Sequence, residues 1–74
     1  MEDLLRIMSE IRPDLDFEKE TQLIDGNVLD SFDIISIIGE VNNHFQIEIN
    51  VNDLVPENFN SAKALYELIE KLLS

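Results

Sequence analysis

Apolar and polar positions follow different rhythms along this chain. In "EDLLRIMSEIR", Leu4, Leu5, Met8 and Ile11 recur at helical spacing with Ile7 beside them, which predicts a helix over residues 2–12. Glu2 and Asp3 stand at the helix end that favours negative charge, and Arg12 at the end that favours positive charge. Pro13 stops the helix. From 14 to 29 no period is sustained. So long a loop in a small chain is functional or anchored, and Leu15, Phe17, Leu23, Ile24 and Leu29 are the candidate anchors. Asp25-Gly26-Asn27 is the clearest turn signal, because Gly and Asn both tolerate positive φ.

The helical rhythm returns over 31–45, where Ile34, Ile38, Val41 and Phe45 follow i, i+4, i+7, i+11. Phe32, Ile35 and Ile37 widen that stripe beyond what one core face needs, so part of it is expected to meet solvent. Asp30 suits the N-cap, and Asp33 three positions later completes a capping box. "IEINVNDLVPE" begins with a β-like alternation that has no neighbour to pair with. It is read as a connector holding a short helical turn near Asn52–Val55, ended by Pro56. A last helix is expected from Ala62 to Leu73, capped by Ser61 or Asn60, with Ala62, Leu65, Leu68, Ile69 and Leu72 on its buried face and Lys71 near its end. The expected fold class is all-α: a small bundle of three main helices plus one short helix, as a single domain over residues 1–74.

Composition narrows the chemistry. The chain has 74 residues, 45% of them apolar, enough for one modest core with little room for a deep enzyme pocket. It has no cysteine, which removes disulfides, thiolate zinc sites and cysteine nucleophiles together. In so small a domain that absence points to the cytoplasm. The opening "MEDLLRIMSE" lacks the basic start and apolar run of a signal peptide. The apolar stretch Ile34 to Ile38 is broken by Ser36, so no membrane insertion is expected. Sixteen acids against five bases give a net charge of -11. That disfavours nucleic acid and anionic membranes, serves solubility, and favours fast, salt-sensitive encounters with basic protein surfaces. No metal site is expected: "DLDFEKE" lacks the glycine and spacing of a calcium loop, and His44 is a lone helical histidine. Phe32, Phe45, Phe59 and Tyr66 are read as core or core-edge residues.

One serine stands out. Ser31 lies in "VLDSF", at the mouth of the second helix. Serine at such a place ordinarily caps, but Asp30 already does so, which moves Ser31 to the first helical position with its hydroxyl facing solvent. A serine nucleophile needs a base within hydrogen-bond reach. The only histidine, His44, is thirteen residues later on the same helix, or roughly 20 Å away at about 1.5 Å per residue. No G-x-S-x-G elbow is present. Ser31 is therefore read as a substrate for another protein rather than as a catalytic nucleophile, and no catalytic residue is expected in this chain. A helix N-terminus, with unpaired N–H groups and partial positive charge, stabilises a phosphodiester at that hydroxyl.

"VLDSF" resembles the phosphopantetheine attachment motif of acyl carrier proteins, whose core is Asp-Ser followed by a large apolar residue. The resemblance runs through nearly the whole chain: the first helix ended by Pro13, the loop with "LIDGNVLDS", the apolar second helix ending in Phe45, the "IEI" connector and the final helix. It implies that Ser31 carries 4'-phosphopantetheine donated from coenzyme A, and that the arm's thiol holds acyl or aminoacyl groups as thioesters. It implies as partners a phosphopantetheinyl transferase and adenylating or acyl-transferring enzymes with basic docking surfaces, met by a monomeric carrier through Asp30, Asp33, Ile35 and Glu40. Val-Leu-Asp-Ser-Phe is more similar to D-alanyl and other stand-alone carriers than to fatty-acid carriers, which more often read Gly-Ala-Asp-Ser-Leu. The chain departs from the family pattern in two places. Asn27 stands where Gly is expected, four residues before the serine, and Asn reaches the same left-handed conformation. The later half of the second helix offers Glu40 but then Asn42, Asn43 and His44 in place of a long acidic stripe. The alternative of another class is a small acidic helical adaptor without prosthetic group, in which Ser31 belongs only to the cap region.

Overall fold

A computed structural model describes residues 2–74. Its α-helices are α1 (Glu2–Ile11), α2 (Ser31–Phe45), α3 (Pro56–Phe59) and α4 (Ala62–Leu73), with a single 3-10 turn over Val51–Asp53 and no strand among the described residues. This is the expected all-α bundle of three long helices and one short one. α1 packs against α2 and α4, and α3 against α4.

The expected periodicities supply the core. Leu4 and Met8 from α1, Val41 and Ile37 from α2, and Leu65 and Ile69 from α4 are all but inaccessible to solvent, and Leu23 joins them from the loop. The buried side of α2 is centred on Ile37 and Val41, with Ile34, Ile38 and Phe45 only partly covered. Its stripe is thus shifted toward Ile37 from the one the spacing alone suggests.

Two expectations need correction. A helical turn does form near the expected place, as the 3-10 turn over Val51–Asp53, but Pro56 does not end it: the short helix α3 begins there. Proline's missing N–H and fixed φ suit a first helical position, and Val55, in extended backbone, precedes it as N-cap. Phe32, read as a core or core-edge residue, is 79% exposed. Phe59 is buried, and Phe45 and Tyr66 are partly buried as expected.

The long loop is anchored at both levels. Phe17, Leu23 and Leu29 are buried, and Leu15, Ile24 and Val28 pack against the core. Asn60 ties the backbone down: its side-chain oxygen accepts the Ile24 and Asp25 amides, both at 3.0 Å, and its amide donates to Asp25 Oδ2 at 2.9 Å. Its carbonyl accepts the Leu23 amide at 2.9 Å. The capping of α4 falls to Ser61, whose hydroxyl accepts the Ala64 amide. In the turn, Asn27 is the residue with positive φ, 56°. Gly26 is needed for a different reason: a Cβ there would stand 2.7 Å from the Gln22 carbonyl oxygen.

Candidate functional site

Ser31 is the first residue of α2 and is exposed. The end of the helix is built around it as the sequence indicates. Asp30, in extended backbone, accepts the Asp33 amide at 2.8 Å, and Asp33 Oδ2 accepts the Asp30 amide at 3.4 Å, closing a capping box. The box satisfies the Asp33 donor, while the Ser31 hydroxyl stays outside it.

The four residues expected to meet partners fall into two groups. Asp30, Ile35 and Glu40 are exposed, Ile35 at 70%. Asp33 is not: its side chain is 14% exposed and accepts a hydrogen bond from Arg12 Nη1 at 2.7 Å. Its carboxylate is thus engaged by Arg12 and little open to solvent. Phe32, beside it in the chain, is exposed instead. Phe32 and Ile35, three residues apart, lie on one side of α2 and form an apolar patch beginning next to Ser31.

Arg12 escaped the sequence reading, which gave it only a role at the end of α1. It stands one residue beyond that helix. Its Nε and Nη2 donate to the two oxygens of Asp14 at 3.0 and 2.9 Å, and Nη1 reaches both Asp33 and, at 3.4 Å, the Val28 carbonyl. The hydrogen bonds from Arg12 hold the Asp14 carboxyl below its ordinary range, and the two carboxylates in turn hold the guanidinium in its charged form. No local pattern marks an arginine whose partner is 21 residues away; the nearest signal was the scarcity of bases in so acidic a chain.

His44 lies at the opposite end of α2. Its Nε2 is 3.1 Å from Asp3 Oδ2, linking α2 to the start of α1, and this hydrogen bond is the main cause that lowers the Asp3 pKa. The ring is edge-on to Phe45, with centroids 4.9 Å apart. The histidine is thus engaged far from Ser31 and supplies it with no base.

Beside the site is an apolar cleft of about 230 Å³, lined by Ile24, Ile34, Leu54, Val55, Pro56 and Phe59. Ile34 is one helical turn from Ser31, so the cleft opens within a short reach of the serine. Leu54 and Val55 on its wall are 45% and 38% exposed.

A family model described as "Phosphopantetheine attachment site" matches residues 2–69. The chain is 31% identical over 71 residues to a D-alanyl carrier protein of Streptococcus mutans serotype c (strain ATCC 700610 / UA159), covering 95% of this chain and 90% of the relative.

Proposed function

This chain belongs to the phosphopantetheine-attachment family of carrier proteins, and from that premise we propose that Ser31 is its attachment residue. The observation that carries the assignment is the exposed hydroxyl at the first position of α2, left outside a closed Asp30–Asp33 capping box. Covalently bound 4'-phosphopantetheine supplies a flexible arm whose thiol forms thioesters. In the transfer, the Ser31 oxygen forms a bond to the phosphorus next to the pantetheine of coenzyme A. The bond from that phosphorus to the bridging oxygen breaks, and adenosine 3',5'-bisphosphate leaves. The serine proton passes to a base on the transferase, since the only histidine of this chain is held at the far end of α2.

What the chain's own residues do is presentation. The capping box fixes the backbone on either side of Ser31, and the partial positive charge of the helix end favours the phosphodiester. Phe32 and Ile35 offer an apolar patch, with the carboxylates of Asp30 and Glu40 on the same exposed helix for basic partner surfaces. Asp33 contributes by holding the helix end rather than by touching a partner. The chain is a substrate of its partners, a phosphopantetheinyl transferase and a loading enzyme, and catalyses nothing itself. We place it in the cytoplasm as a monomer, on its lack of cysteine and its high net charge. No helix among the described residues is long and apolar enough to cross a membrane.

The name of the streptococcal relative makes D-alanine the first cargo to try. The apolar cleft near Ser31 makes a short acyl group the second. At about 230 Å³ it falls below the roughly 300–1,000 Å³ of pockets that enclose drug-sized ligands.

The test is incubation with coenzyme A and a broad-specificity phosphopantetheinyl transferase, read by intact mass, with Ser31→Ala as control. The expected result is a gain of one phosphopantetheine in the wild type and none in the variant. No gain in a folded wild type, with a transferase shown to be active, overturns the assignment and favours the adaptor reading.

A further inference from the structure

Among the described residues, Arg12 is the only lysine or arginine that the structure pairs with a carboxylate, and it pairs with two. In a chain with five bases and sixteen acids, the place of that pairing is informative. One partner, Asp14, lies at the start of the long loop. The other, Asp33, is the third residue of α2, two positions after Ser31, and the same guanidinium reaches the carbonyl of Val28, the first residue of the motif. Arg12 therefore joins the beginning of the loop, its end and the first turn of α2.

We propose that Arg12 is a positioning residue for the modification of Ser31. This rests on the reading of Ser31 as the attachment site. Two physical effects combine. The first is orientation. Asp33 closes the capping box through the same Oδ2 that accepts from Arg12, so the guanidinium fixes the carboxylate that fixes the backbone on the N-terminal side of Ser31. The second is charge. The donor of the arm is a pyrophosphate, and the product is an anionic phosphodiester. An unpaired Asp33 carboxylate within one turn of Ser31 opposes both. Arg12 offsets that charge in a part-buried pair: the Asp33 side chain is 14% exposed, while the Asp14 side chain, at 59%, remains open to water. A flat fork with several donors is what this triple engagement requires, and lysine offers one point charge instead.

The test measures the transfer of phosphopantetheine from coenzyme A at varied carrier concentration, by intact mass. It compares the wild type with R12K, R12Q and the double variant R12Q/D33N, each checked for its helical circular dichroism. For R12Q the fall is expected in kcat, by about tenfold, because the proposed role of Arg12 runs through Asp33 and not through a contact of its own with the transferase. R12K is expected to lie between R12Q and the wild type. R12Q/D33N is expected to recover most of the loss, since the amide still accepts the Asp30 N–H but carries no charge. A purely structural role would leave the double variant at least as slow as R12Q. That result, or a wild-type kcat in R12Q, overturns the proposal while Ser31 stands. If R12Q loses its helical signal, the decision passes to R12K, where an unchanged kcat overturns it. A folded wild type that accepts no phosphopantetheine overturns the Ser31 reading and this one together.

Discussion

Asn60 offers the sharpest test of how the loop before Ser31 is held. Its side chain makes three hydrogen bonds to the segment around Asp25, 35 or 36 residues earlier in the chain. Asn60→Ala removes all three and leaves the Ile24 amide, which is part-buried, without an acceptor. A buried unsatisfied donor costs about 1–3 kcal/mol. The exposed Asp25 amide and carboxylate are rehydrated, so their loss is small. The bond from the Leu23 amide to the Asn60 carbonyl survives, because it is made by backbone. The expected destabilisation is about 2 kcal/mol, or roughly 8–16 °C in Tm for a chain of this size. Asn60→Asp separates geometry from charge. It keeps the acceptor for both amides but sets a second carboxylate where the Asn60 amide now stands, 2.9 Å from Asp25 Oδ2. Its cost is expected to shrink in added salt, whereas that of Asn60→Ala is not. Urea and thermal unfolding followed by circular dichroism give the energies, and amide exchange at Ile24 and Asp25 localises them. An Asn60→Ala protein within about 0.5 kcal/mol of wild type, with exchange at those amides unchanged, would refute the claim that this residue pins the loop.

Three further outcomes are expected. Gly26→Ala forces a Cβ to 2.7 Å from a backbone oxygen and is expected to cost about 1–3 kcal/mol in urea unfolding; a neutral effect would mean the turn re-forms without that approach. The Asp14 carboxyl is held below its ordinary range by Arg12, so the stability it contributes is present above the unfolded value near 4 and is lost as pH falls through the folded value. The Tm gap between wild type and R12Q is thus expected to be largest near neutrality and to narrow in acid; a gap that stays constant counts against the pairing. Ile35→Asp is expected to raise the KM of the carrier for its transferase well above the effect of Glu70→Lys on α4, with both proteins folded, and equal effects would move the docking surface off α2.

Much of this arrangement was legible in the sequence because its causes are local. The capping box, the helical rhythm of α4 and the left-handed turn residue all depend on neighbours within a few positions, and Asp30, Asp33, Ser61 and Asn27 stand in the roles expected of them. What escaped depends on the far side of the chain. Arg12 finds Asp33 only once α1 lies on α2, and Asn60 finds Ile24 only once the loop folds back on the α3–α4 junction. Pro56 was misread by position: the same ring that ends a helix from inside begins one at its first residue. Phe32 was misjudged because apolar character is ordinarily core, and periodicity alone does not say which side of a wide apolar stripe is left over. The candidate site is therefore half legible, with its cap visible in the sequence and its brace not.

The exposed patch also bears on how long a partner stays. Burying one large apolar side chain contributes about 1.5–3 kcal/mol, so Phe32 and Ile35 together offer roughly 3–6 kcal/mol. Association costs an estimated 4–15 kcal/mol in lost freedom. The patch alone therefore at best offsets the entropy of docking. The remainder must come from the carboxylates around it and from the arm once it enters a partner's active site. The first is screened by salt, and the second vanishes when the cargo has been transferred. On the docking face proposed here, each complex loses part of its stabilisation at the moment its reaction is complete. A larger apolar patch would bind more tightly and release more slowly. A carrier that must meet a transferase, a loading enzyme and an acceptor in turn works only if no one of them holds it, and two exposed apolar residues beside an acidic helix end satisfy that condition.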